Sequence, residues 1–148
     1  MLTASKLNKI IILKLPSAYL CGVRLKELTE SDCKTSVKFR WINQNPFKSI
    51  YFAVLAMAAE LATGALVLRK TENIRISTLV LGMSAQFHKK AVGRITFSCN
   101  QGLDVDNYIR KAIATKEGVV FPLKALGVDA EGDTVAEFVF EWTIKVKS

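Results

Sequence analysis

Histidine occurs once in this chain, at position 88, and cysteine three times, at 21, 33 and 99. A Cys/His zinc centre needs several such ligands at short spacings, and none is expected here. An odd number of unpaired thiols suits a reducing compartment, and a cytoplasmic location is expected. Three prolines and eight glycines in 148 residues leave little room for a flexible linker. Nothing repeats at a fixed period and no stretch is low in complexity, so one compact domain over residues 1–148 is the simplest organisation. No run of five like charges appears and no zinc-finger or RNA-binding signature accompanies the cations, which argues against a nucleic-acid partner. The longest apolar run near the start, Ile10 to Leu13, is too short for a secretory core. Residues 1–16, with lysines at 6, 9 and 14, read instead as a short amphipathic helix stopped by Pro16.

What is abundant is hydrophobic surface and positive charge. Half the residues are apolar, 23% are charged, and the formal net charge is +8. A basic chain attracts anions in general, but the cations are spread along its length, so a solvated basic surface is the plainest reading. From Ser49 to Leu68 the sequence is almost continuously apolar, with Glu60 the only charge inside it. That length would span a bilayer, and a carboxylate in mid-span would cost about 2.5–3.5 kcal/mol. The rest of the chain is patterned as strands, and an apolar helix equally suits the core of a large curved sheet. No membrane partner is therefore expected.

The strand pattern is period two. Val23 and Leu25, then Val37, Phe39 and Trp41, alternate with basic residues on either side of the turn Glu30-Ser31-Asp32. The apolar helix follows, entered through Asn43-Gln44-Asn45-Pro46, with an asparagine as cap and the proline at its start. Beyond it, Leu79, Leu81, Met83, Ala85 and Phe87 alternate with polar or small residues, and Ile95, Phe97 and Cys99 do the same after Gly93. A helix from about Asp104, as cap, to Lys116 ends at Gly118. Val119 to Val128 reads as a strand broken by Pro122. In the last strand Ala136, Phe138, Phe140, Trp142, Ile144 and Val146 share one parity. Sequential strand pairs favour an antiparallel sheet, and a helix apolar all round must be enclosed. The expected class is α+β: about six antiparallel strands wrapped around one long apolar helix.

Glu60 is the residue with chemistry in it. Most of its neighbours on the helix, Ala53, Ala56, Thr63 and Gly64 among them, are small, so another group can approach the carboxylate closely. Desolvation should raise its pKa towards the range of a general base or nucleophile. The alternative is a carboxylate paired with a lysine or arginine, or one bonded across a subunit interface. Free amides at Tyr51, Phe52 and Ala53, at the helix start, could hold a developing oxyanion. Asn45 either positions the base or water, or simply caps the helix. His88, beside Lys89 and Lys90, reads as a surface or turn residue, and no nucleophile-elbow pattern is present.

Asn45 and Glu60 stand fifteen residues apart, with Tyr51 six residues after Asn45. This spacing resembles the hotdog thioesterases of the phenylacetate-pathway type, in which an asparagine precedes a His-Gly-Gly at the helix entrance and an acidic residue within the helix. The run from Asn45 to Glu60 also looks like a hotdog branch known only as a domain of unknown function, and the element order matches over nearly the whole chain. Tyr51-Phe52-Ala53 replaces His-Gly-Gly, so the histidine is gone, although Ala53 still supplies the amide that polarises the thioester carbonyl in that family. The resemblance implies an acyl-CoA thioesterase with Glu60 and Asn45 as catalytic residues. Tyr51, Phe52 and Ala53 would lie at the oxyanion and substrate site, with Thr78 or Ser84 as added hydroxyls. Lys89, Lys90 and Arg94 would meet the CoA phosphates. It further implies no metal and no cofactor beyond the CoA ester itself, and a homodimer or dimer of dimers. A non-catalytic acyl-CoA or acyl-ligand binding module is the alternative.

Overall fold

The computed structural model describes residues 1–148. Two helices come first, α1 (Ala4–Lys14) and α2 (Pro16–Leu20). Thr3 caps α1 by accepting a hydrogen bond from the Lys6 amide at 3.2 Å. Pro16 ends α1 as expected, but it also opens α2, because proline at a first helical position gives up only an amide that has no partner there. Strands β1 (Arg24–Leu28) and β2 (Cys33–Lys38) form a hairpin, a 3-10 turn covers Trp41–Asn43, and α3 runs from Phe52 to Thr71. The remainder is β3 (Ile76–Phe87), β4 (Arg94–Cys99), α4 (Gly102–Thr115), β5 (Val119–Val128) and β6 (Thr134–Val146). The six strands make one antiparallel sheet in the order β1-β2-β4-β5-β6-β3, curled around α3.

The helix of bilayer-spanning length is thus the centre of the core. Val54, Leu55, Ala58, Ala59, Leu61, Ala62, Ala65, Leu66 and Val67 on α3 are buried, and Val37, Ile95, Phe97, Leu123, Phe138 and Phe140 close over them from the sheet. Alanines along one rod let the sheet come near. Thr35 in β2 reaches far enough to donate a hydrogen bond to the Ala58 carbonyl at 2.6 Å. Cys33 and Cys99 face each other across β2 and β4, both buried. Burial drives both thiols up, that of Cys99 to about 11.

Several elements differ from the sequence reading. Helix α3 begins at Phe52, not at Pro46, because residues 45–49 close a turn of their own and Gln44 bridges to Ile50. Phe39 and Trp41 leave the strand, and Trp41 is 82% exposed. The chain turns there because buried Asn43 accepts from the Arg40 amide and donates to the carbonyls of Cys21 and Lys38. Pro122 does not break β5. It pairs with β6 on one side, while β4 meets β5 only at Leu126 to Val128, so the missing amide faces no strand. Helix α4 starts at Gly102, packed against the 30–31 turn where no side chain fits, and closes on Lys116 in the left-handed conformation. Asp104 lies in its first turn and is not the cap.

The largest departure is β3. Its alternation suggests one buried face, yet Leu79, Leu81, Met83 and Phe87 are all about half exposed. A bulge at Leu81, between the Val80–Trp142 and Gly82–Glu141 pairs, shifts the register. β3 is also an edge strand, with nothing beyond it.

Candidate functional site

Glu60 lies two turns into α3 and opens onto a pocket of about 410 Å³. The walls are apolar: Leu7, Ile11 and Leu15 from the N-terminal helices, Leu61, Val67 and Leu68 from α3, and Trp142 from β6. Helix α1 lies across this cavity as a cover. Gly64, one turn after Glu60, makes the space. A methyl group there would stand 3.3 Å from Glu60 Oε1 and 3.2 Å from the Trp142 ring. Thr63 fixes the ring by accepting a hydrogen bond from the Trp142 indole at 3.1 Å while donating to the Glu60 carbonyl oxygen at 2.9 Å.

The Glu60 carboxylate has no ion-pair partner. Lys14 lines the same pocket without pairing to it, and burial alone raises the Glu60 pKa above the ordinary carboxylate value. A carboxylate that is partly desolvated, unpaired and open to a cavity can take a proton from a water or attack an electrophilic carbon. Thr78 lines this pocket as well. Ser84 does not: it borders a small recess with Gln86, Lys124 and Glu137 at the far part of the strand.

The helix entrance forms a second pocket, of about 590 Å³, lined by Asn45, Phe47, Tyr51, Phe52, Phe87, His88 and Lys90 among others. Asn45 is consumed by its own turn. Its oxygen accepts from the amides of Phe47 and Ser49, and its nitrogen donates to Ser49 Oγ and the Ile50 carbonyl. It neither caps α3 nor faces Glu60. Of the three amides expected to be free, that of Tyr51 donates to the Asn43 carbonyl at 2.9 Å, whereas those of Phe52 and Ala53 have no partner in the chain. The Tyr51 and Phe52 rings pack edge to face, 5.0 Å apart, where glycines would have left the entrance open.

Of the three cations expected near phosphates, Lys89 and Lys90 both line the entrance pocket and Arg94 does not. Lys89 is held by Asp129 at 2.6 Å and Asp133 at 2.8 Å, which raises its pKa and occupies its charge. Lys90 donates to the Phe47 carbonyl at 3.2 Å and has no carboxylate partner, so it remains available at the entrance pocket. Arg94 is on β4, bonded to Ser36 Oγ at 3.2 Å, away from both pockets. His88 pairs with Glu137 at 3.0 Å on the surface. Trp142 and Thr63 are the site residues that sequence reasoning missed. The inward parity of Trp142 on the last strand was visible, but the contact joins positions 79 residues apart.

No curated protein sequence matches the chain. Solved structures do. A Pseudomonas aeruginosa protein of unknown function, a probable thioesterase, superposes with a TM-score of 0.84 at 21% identity, covering 97% of this chain and 96% of that one. A Chlorobaculum tepidum protein of unknown function gives 0.82 at 18% identity, with 97% and 94% covered. A Haemophilus influenzae thioesterase gives 0.71 at 11% identity, with 99% and 92% covered. At these identities the likeness is one of fold, and the fold is the hotdog. The family model for a domain of unknown function, DUF4442, matches residues 4–144, nearly the whole length, and the chain belongs to that family.

Proposed function

We propose that this protein hydrolyses acyl thioesters through Glu60, in a site completed by a second copy of the chain. The observation that carries the reading is the unpaired Glu60 carboxylate, its pKa raised by burial, at the wall of an apolar pocket. Such a cavity accepts an acyl chain, and the carboxylate beside it suits the ester carbon.

In the reaction, Glu60 takes a proton from water as the water oxygen bonds to the thioester carbonyl carbon. The carbonyl π electrons move onto oxygen, where a backbone amide holds them. Collapse of that intermediate breaks the carbon–sulfur bond, and the departing thiolate receives the proton from Glu60. The products are a carboxylic acid and a thiol. Thr78, which lines the same pocket, is the hydroxyl assigned in this proposal to hold the water, and the CoA ester is substrate, so no resident cofactor enters.

The Ala53 amide stands seven residues before Glu60 on the same helix, roughly 10 Å along its axis. One carbonyl cannot lie within hydrogen-bond reach of both groups. A two-fold axis through the middle of β3 removes the difficulty. It pairs the open edges of two copies and brings the Thr78 end of one strand beside the Phe87 end of the other, so that the entrance pocket of one copy meets the Glu60 pocket of its mate. The exposed Leu79, Leu81 and Met83 and the open strand edge support this pairing, and Lys90 is then positioned for the phosphates of CoA. A cytoplasmic location accords with three free thiols.

Thiol release from a panel of acyl-CoAs tests the reading. Wild type is expected to turn over at least one chain length, with Glu60→Ala lowering the rate a hundredfold or more. Equal rates in the two proteins would end it. The Tyr51 and Phe52 rings at the entrance favour a second reading, an acyl-ligand binding module, which predicts saturable CoA-ester binding with no turnover in either protein.

A further inference from the structure

Residues 1–26 contain five cations, Lys6, Lys9, Lys14, Arg24 and Lys26, and no acidic residue. None of the five forms an ion pair with a carboxylate, and the acid that follows, Glu27, is engaged by Lys34 at 3.3 Å. The outward side of α1 follows from helical spacing. Leu7 and Ile11 are buried, so Lys6, Lys9 and Leu13 project from the opposite side, with Ile12 on the flank. Leu13 is 80% exposed and Leu20, in the next helix, 61%. Between α1 and β1 runs an open groove that includes Lys9, Ile12, Arg24 and Lys26. Arg24 lies over the Tyr19 ring at 3.7 Å and donates only to backbone carbonyls, so its charge is unopposed.

We infer that this face docks on an anionic lipid surface, with Leu13 and Leu20 entering the acyl boundary and the lysines and Arg24 meeting phosphate headgroups. Charge complementarity selects the occupant. A surface with basic residues alone would suit any polyanion, but apolar side chains set among unpaired lysines are the pattern of a helix lying in a membrane interface. Base stacking has nothing to use here, since the one aromatic ring, Tyr19, lies under Arg24. The contact is peripheral and unlike a span, because the only helix of spanning length is enclosed by the sheet. It amends the expectation that no membrane is involved, and it stands whether or not Glu60 is catalytic.

Flotation of the full chain with vesicles of phosphatidylcholine, alone or with 30 mol % phosphatidylglycerol, tests this. Partitioning to the anionic vesicles is expected to exceed that to neutral ones at least tenfold and to fall in high salt. Lys6→Ala combined with Lys9→Ala should lower it by roughly 30-fold, at about 1 kcal/mol for each basic residue near the surface. Leu13→Asp should lower it at least tenfold. Melting temperature and subunit number, by light scattering, should match wild type in both variants. The inference is overturned by equal partitioning to both vesicle types or to neither. It is also overturned if Leu13→Asp binds unchanged while RNA displaces the protein, which marks a general polyanion patch. A change in subunit number in Leu13→Asp would likewise overturn it, marking an interface between copies.

Discussion

A single carboxylate in an apolar wall has thermodynamic consequences that can be measured without any substrate. Burial raises the pKa of Glu60 above its ordinary value of 4.5, so the folded protein binds this proton more tightly than the unfolded chain does. The stability associated with the neutral form is therefore fully present below the unfolded pKa and is lost as pH rises through the folded value. Glu60→Gln keeps the shape and removes the titration. Its unfolding free energy at pH 8 is expected to exceed wild type by on the order of 1 kcal/mol, with the two converging towards pH 4. Urea melts at a series of pH values measure this, and a wild type as stable as the variant at pH 8 would mean that the carboxylate is fully solvated. Glu60 was legible in the sequence because it is the sole charge in some twenty apolar residues. Its surroundings were not, because Gly64, Thr63 and Trp142 come together only when β6 folds over α3.

At the scale of elements, α3 is pinned at its far end by charge. Glu30, in the β1–β2 turn, accepts from Arg69 at 2.6 Å and from Lys70 at 2.8 Å, and Lys70 also bonds Asp106 of α4 at 2.8 Å. These bonds hold the Glu30 carboxyl at about 2, below its ordinary 4.5. With the folded value depressed, the stabilisation is present above pH 4.5 and is lost as pH falls from there towards 2. The acid limb of a stability profile is expected to flatten in Glu30→Gln, which begins lower at pH 7 and meets wild type near pH 2. Thermal melts from pH 2 to 7 would show it, and parallel profiles would exclude it. The same scale explains which elements could be read beforehand. β6 was clear because a buried face imposes strict alternation on its side chains. The start of α3 was misplaced because Asn45 and Pro46, good helix openers by type, are committed to a separate turn. Pro122 looked like a breaker because sequence does not reveal which side of a strand lacks a neighbour.

For the whole molecule, the open edge at β3 is decisive. The twelve residues of β3 pair with β6 on one side and leave the other edge open, with half-exposed leucines along it, and under the proposed pairing a second chain covers that edge. Leu81→Lys places a charge at the middle of that edge. It is expected to convert dimer to monomer in light scattering and to lower thioester turnover at least tenfold, while the monomer keeps its helical circular dichroism. Monomeric protein with full activity would show that the site is complete in one chain.

The facing pair Cys33 and Cys99 gives this molecule a built-in gauge of its own integrity. An alkylating reagent meets Cys21 on the intact protein, while the other two sulfurs are screened between adjacent strands and held as protonated thiols that react slowly. Labelling beyond the first sulfur thus proceeds only when β2 and β4 separate, and its rate reports how often the sheet opens.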